Sequence, residues 1–210
     1  MTLYNSTLRT LSLAPKDRPV SLLMRHSERY PIIVQEDVLT AKLTPPGIKM
    51  AEEFGSVLSQ VYNPGCFVSS PIERCIQTAA AISYGAGWNR PVIPDDRLSY
   101  PLLEKAWMDF LDDPEIPNKL PEPVMELLDL MLSTDSNKPG LLNVFVTHDS
   151  VLGCILAYLM NLQVEEATWP NFMEGMALWR EENRIFAIWR EQKTEISRWF
   201  AGEYRSLHLG

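Results

Sequence analysis

Val20-Ser21-Leu22-Leu23-Met24-Arg25-His26-Ser27-Glu28-Arg29 opens on a short apolar run and breaks at once into charge. The run from Val20 to Met24 reads as a buried strand, because short continuous apolar segments bounded by polar residues suit a strand covered on both faces. Polar chemistry therefore begins where the strand ends. The same grammar recurs twice. Cys66-Phe67-Val68 is a second short strand followed by Ser69-Ser70, and Leu141 to Val146 is a β-prone run that ends at Thr147-His148-Asp149.

Helical patterns lie between these strands. Thr44-Pro45-Pro46 supplies a cap and a first-turn proline, after which Ile48, Ala51, Phe54, Leu58 and Val61 recur at helical spacing. Ser70-Pro71-Ile72-Glu73 matches a capping box and predicts a helix from about Pro71 to Tyr84. Further helices are expected over Glu122 to Leu132 and Val151 to Met160. Gly175 to Trp179 and Arg184 to Trp189, split by a polar Arg180-Glu181-Glu182-Asn183, suggest a hairpin. Between Pro91 and Pro123 prolines are frequent and periodicity fails, so an irregular insertion, a candidate substrate lid, is expected around 91–123. Strands alternating with helices predict an α/β fold with a mostly parallel central sheet covered on both faces, a three-layer α/β/α sandwich. A length of 210 residues, 46% of them hydrophobic, suits one domain over 1–210.

The net charge of −8 disfavours broad attachment to nucleic acid or an anionic membrane, both of which need surplus Lys and Arg. A small phosphorylated ligand needs only a few convergent arginines. Cys66, Cys75 and Cys154 show no C-x-x-C spacing and read as thiols of a reducing compartment, and no secretory signal is apparent, so a cytoplasmic location is expected. Trp169, Trp179, Trp189 and Trp199 suit a core or an interface equally.

Of three histidines, His26 and His148 fall at predicted strand ends, and His208, near the C-terminus, is assigned no function. Ligands gather at the carboxyl ends of strands in open α/β sheets, which makes these two the natural pair. Arg25, Arg29 and Arg74 are candidates for a phosphate clamp, since planar guanidinium groups donate paired hydrogen bonds to phosphate oxygens. Asp149, between a strand and a helix, has an ordinary reading as an N-cap. No cluster at metal-ligand spacing occurs, so neither a metal nor another cofactor is expected.

Arg25-His26-Ser27-Glu28-Arg29-Tyr30-Pro31 resembles the R-H-G-x-R-x-P signature of the histidine phosphatase superfamily. Ser69-Ser70-Pro71-Ile72-Glu73-Arg74-Cys75-Ile76-Gln77-Thr78-Ala79 resembles its S-S-P-x-x-R-x-x-Q-T-A segment, Leu43-Thr44-Pro45-Pro46-Gly47 its L-T-x-x-G helix start, and Thr147-His148-Asp149 its late histidine motif. All occur in the family's order. The resemblance implies a phosphoglycerate mutase-like fold and a phosphomonoester hydrolase working on a small phosphorylated substrate. In it His26 becomes phosphohistidine, while Arg25, Arg29, Arg74 and His148 hold the phosphoryl oxygens. Nearby cations are expected to lower the pKa of His26. The pair at 148 and 149 resembles the acid-phosphatase branch, which makes Asp149 the expected general acid, with Glu104 the candidate if the chain follows the mutase-like branch. A mutase and a catalytically silent phospholigand-binding protein are the competing readings. Ser27 departs from the family's usual glycine and raises the question of backbone geometry beside the nucleophile.

Overall fold

The computed structural model describes residues 3–112, 120–133, 138–161 and 169–200. After helix α1 (Asn5–Ser12), strand β1 (Val20–Arg25) leads through the short α2 (Asp37–Thr40) to α3 (Pro45–Leu58), β2 (Asn63–Ser69) and α4 (Glu73–Gly85). Then come β3 (Val92–Pro94), α5 (Tyr100–Asp112), α6 (Glu122–Leu132), β4 (Leu141–Thr147) and α7 (Asp149–Met160), and the antiparallel β5 (Gly175–Glu181), β6 (Arg184–Trp189) and β7 (Gln192–Glu195). The strands form one seven-stranded sheet in the order β3-β2-β4-β1-β5-β6-β7. Its β3, β2, β4 and β1 run parallel, and β5 to β7 complete it antiparallel.

Alternation along β1 splits the core in two. Leu22 and Met24 pack with Phe54, Ala79 and Ile82 from α3 and α4, while Leu23 faces Leu103, Leu128 and Leu152 from α5, α6 and α7. Helices thus cover both faces, the α/β/α layering that the strand-helix alternation predicts. Trp179 and Trp189 are buried in these cores, with Trp169 and Trp199 packed against one of them. Cys75 and Cys154 are buried and Cys66 half-buried, all three as free thiols. No helix among the described residues is long and apolar enough to cross a membrane.

Two expectations need correction. The segment around 91–123 is not irregular throughout: it carries β3, a short 3-10 helix and α5, whose Leu103, Ala106, Trp107 and Phe110 are buried. Pro101 sits in the first turn of that helix, where its missing N–H costs nothing, so the proline does not break the helix. Residues 113–119 of this stretch, and His208, lie outside the described residues. Second, Ser70 does not cap α4. That helix begins at Glu73 behind Ile72, and the Ser70 hydroxyl instead lies 3.1 Å from both Ser99 Oγ and His148 Nε2.

Thr44 caps α3 as expected, its hydroxyl accepting from the Gly47 N–H at 3.0 Å with Pro45 in the first turn. This helix start packs against the chain beside His26. A Cβ on Gly47 would lie 2.1 Å from the Glu28 carbonyl oxygen, so only glycine lets the two backbones approach. Gly47→Ala is expected to cost at least about 1–3 kcal/mol, the usual scale of an overpacked contact, and to reduce turnover by displacing the segment that carries His26. Urea unfolding with parallel kinetics checks this; an unchanged midpoint would show that the contact relaxes freely.

Candidate active site

Strand register assembles the site. Arg25 pairs with Thr147 and Ser69 with Val146, so the chain leaves β1, β2 and β4 at one edge of the sheet. The ladder continues one residue further, with His26 N–H donating to the Thr147 carbonyl and Ser70 N–H to the Val146 carbonyl, each at 2.9 Å. His26, Ser70 and His148, far apart in the chain, become neighbours because parallel strands end together. Arg74 arrives from the first turn of α4.

Side-chain geometry decides the tautomers. His26 Nδ1 lies 2.7 Å from the Ser27 carbonyl, which only accepts, so Nδ1 carries the proton and Nε2 the lone pair. Arg74 Nε donates to that Nε2 at 3.1 Å. The same guanidinium donates through Nη2 to His148 Nδ1 at 3.2 Å, leaving the proton of His148 on Nε2, where it reaches Ser70 Oγ. Arg74 Nη1 is held by the Val38 carbonyl at 2.6 Å. One arginine thus stands between two neutral imidazoles.

Burial keeps both histidines neutral. It lowers the pKa of His26 to about 2, with His148, Arg74 and Arg25 adding repulsion and the Ser27 carbonyl working against them. The expected effect of cations on His26 is present, but desolvation is the larger cause. His148 is lowered to about 4 by burial and by Arg74, against the attraction of Asp149. The Cys75 thiol, 3.6 Å from His148 Nε2, is pushed up to about 12 by burial and stays protonated.

These shifts have a sign for stability. Between about pH 6.5 and the folded values, the unfolded chain binds protons that the folded chain does not, so stability is present above pH 6.5 and is lost as pH falls. Each imidazole steepens that fall by up to about 1.4 kcal/mol per pH unit. Unfolding measured from pH 7 to 4 is expected to show a shallower loss for His148→Asn than for the unmodified chain. Equal slopes would mean that His148 is not a buried neutral group.

A cavity of about 470 Å³ opens on this edge, and His26, Arg29, Arg74, His148 and Asp149 all line it. Arg25 is not among its lining residues. Its guanidinium pairs with Asp149 at 2.8 Å, donates to the Pro170 carbonyl at 2.8 Å and lies 4.1 Å from the Phe172 ring centre, behind the carboxylate. Asp149 is the first residue of α7 and not its N-cap, a position that His148 holds. Its second oxygen accepts from the Ser150 N–H at 2.9 Å. Glu104 is exposed on α5 and is not among the cavity's lining residues. A larger cavity of about 680 Å³ lies at the amino ends of β2 and β4, around Asn63 and Leu141, away from both histidines.

Ser27 fits without strain. Its φ is outside the left-handed region, its hydroxyl donates to the Gly47 carbonyl at 2.7 Å, and its N–H donates to Thr78 Oγ1 at 3.0 Å. The site also uses residues that sequence reading overlooked. Ser70 and Ser99 carry the hydrogen bonding beyond His148, and the Phe172 ring lies 5.6 Å from that of His26. The sequence marks Ser70 as a cap and as part of the S-S-P-x-x-R segment but not as a partner of His148, and nothing in its local pattern marks Phe172.

Residues 22–100 match the profile of the histidine phosphatase superfamily, branch 1, a span that holds His26, Arg29 and Arg74 and stops short of His148 and Asp149. A search of curated proteins finds no match. Among solved structures the chain is similar to Bacillus stearothermophilus YhfR, at 16% identity and a TM-score of 0.52, covering 78% of this chain and 92% of that one. It is similar also to mycobacterial glucosyl-3-phosphoglycerate phosphatase, at 19% identity and a TM-score of 0.52 over 85% and 95%. A third is phosphoserine phosphatase from Entamoeba histolytica, at 16% identity and 0.50 over 84% and 94%. The chain thus resembles the histidine phosphatase superfamily over residues 22–100 and shares the fold of these solved structures.

Proposed function

We propose that this protein hydrolyses phosphomonoesters through a phosphohistidine at His26. The observation that carries the reading is the orientation of that imidazole. Its Nδ1–H is tied to the Ser27 carbonyl, and its unprotonated Nε2 sits in a cavity with two arginines and a second histidine. A pinned neutral imidazole with an unprotonated nitrogen facing the cavity is what nucleophilic attack on phosphorus requires. The family match over residues 22–100 and the phosphatases among the structural neighbours support the same class of chemistry.

The steps balance as follows. The Nε2 lone pair forms the N–P bond as the ester P–O bond breaks, and the departing alkoxide takes a proton from Asp149, which has accepted it from the hydroxyl of the bound monoester monoanion. Water then attacks phosphorus, gives a proton back to Asp149, and the P–N bond breaks. Arg74 exchanges its hydrogen bond to Nε2 for phosphoryl oxygens, and Arg29 and His148 complete the binding of the transferred charge. Arg25, expected from sequence as a phosphate ligand, is in this reading a positioning residue, its guanidinium engaged with Asp149 and Pro170.

Hydrolysis of p-nitrophenyl phosphate by the purified chain, in excess EDTA, tests the proposal. Turnover is expected to be undiminished by the chelator, because the phosphoryl charge is met by arginine and histidine side chains and no His/Cys/Asp/Glu cluster able to hold a metal occurs among the described residues. Phosphate release sets hydrolysis apart from a mutase, which would return the group to the substrate. Release that stops with EDTA and resumes with a divalent ion would overturn the metal-free mechanism.

A further inference from the structure

The cavity is larger than its phosphate-binding end. At about 470 Å³ it lies within the usual range of about 300–1,000 Å³ for sites that enclose whole small molecules, so it also has room for the alcohol part of the ester. Beyond His26, Arg29, Arg74 and His148 the wall changes character. Ile32, Val38, Leu39, Ile72, Tyr100 and Pro101 line it, and the charged groups that remain on the lining are the carboxylates of Asp96 and Asp149. Leu39 on this wall is 65% accessible and therefore reachable from solvent. An exposed apolar side chain on the wall of an otherwise polar cavity offers a surface for the apolar part of a ligand.

Resting on the hydrolase reading above, we infer that the preferred substrate is the phosphomonoester of an uncharged, apolar alcohol. Such an alcohol leaves water for the Ile32, Leu39 and Tyr100 side of the cavity, a transfer favoured by roughly 0.8 kcal/mol for each buried methylene. A carboxylate or second phosphate would instead meet apolar carbon and two acidic side chains, and would lose its hydration without a compensating donor. Once Arg29 and Arg74 bind the transferred phosphoryl group, the described lining offers no further arginine or lysine for a second anion. The same feature disfavours a mutase that shuttles phosphate along a small carboxylated substrate. The recognition chemistry resides in the wall, so it is separable from the catalytic step.

The test compares esters whose alcohols are of similar basicity, so that leaving-group chemistry does not decide the order. Phosphate release is measured from n-hexyl phosphate and 2-phenylethyl phosphate, and from glycerol 3-phosphate and 3-phosphoglycerate, with p-nitrophenyl phosphate as the reference. The apolar pair is expected to show a kcat/KM roughly 10–100-fold higher than the polar pair, most of it in KM. Leu39→Ser, an uncharged change at an exposed position outside the catalytic groups, is expected to raise KM for the apolar esters several-fold and to leave glycerol 3-phosphate within about twofold. Turnover of p-nitrophenyl phosphate with equal or better use of 3-phosphoglycerate would overturn this inference and leave the hydrolase standing. Absence of turnover on every ester would overturn both. A Leu39→Ser effect equal on all esters would show that the wall does not select the alcohol.

Discussion

His26→Ala is expected to reduce turnover of any phosphomonoester by roughly 10⁴–10⁶-fold, the scale seen when a covalent nucleophile is removed. No neighbour replaces it: His148 presents its lone pair to Arg74, and the Cys75 thiol is held protonated by burial. The substitution also carries a structural cost. His26 is 2% exposed, so alanine leaves the Ser27 carbonyl and Arg74 Nε without their partner, at about 1–3 kcal/mol. Activity is therefore compared at a temperature where circular dichroism shows the variant folded. Acid-labile label from a radioactive ester is expected on the unmodified chain and absent from the variant. A folded His26→Ala chain that keeps a tenth of its activity would remove the phosphohistidine from the mechanism.

Asp149→Asn is expected to slow hydrolysis of an alkyl phosphate by roughly 10²–10⁴-fold, as for a lost general acid, and to slow p-nitrophenyl phosphate far less, since p-nitrophenolate departs without a proton. The structure sharpens this comparison. Because His148 and not Asp149 occupies the N-cap, a capping role predicts no loss at all, whereas loss of the pair with Arg25 predicts a destabilisation that is the same whichever ester is used. Only an acid role makes the loss depend on the leaving group. Glu104→Gln, at an exposed position away from the cavity lining, is expected to leave both rates unchanged. A leaving-group-dependent loss at Glu104 with none at Asp149 would assign the proton to α5.

Much of the fold was legible because short apolar strands and capped amphipathic helices are local patterns. The limits of β1, α6 and β4 and the start of α3 follow from residues within one turn or one strand of each other, whereas α3 ends at Leu58, short of the periodic Val61. The insertion was misread because proline density suggested disorder of pattern, while Pro101 and Pro123 lie in first turns, where proline is tolerated. The short α2 and the edge strands β3 and β7 carry too few residues for a period to show.

The sequence by itself determined which groups could do the chemistry. Arginine and histidine directly after an apolar strand, an arginine in a helix first turn and a histidine-aspartate pair after a late strand are all local facts. What each group touches was decided only by tertiary structure, because strand register and helix docking act between residues 48 to 145 positions apart. Register placed the two imidazoles on one arginine, burial fixed their neutral tautomers, and packing against Phe172 and Pro170 turned Arg25 away from the cavity lining toward Asp149. Ser27 shows the same division: its identity posed a question of backbone freedom, and the Gly47 carbonyl on another element answered it by accepting its hydroxyl.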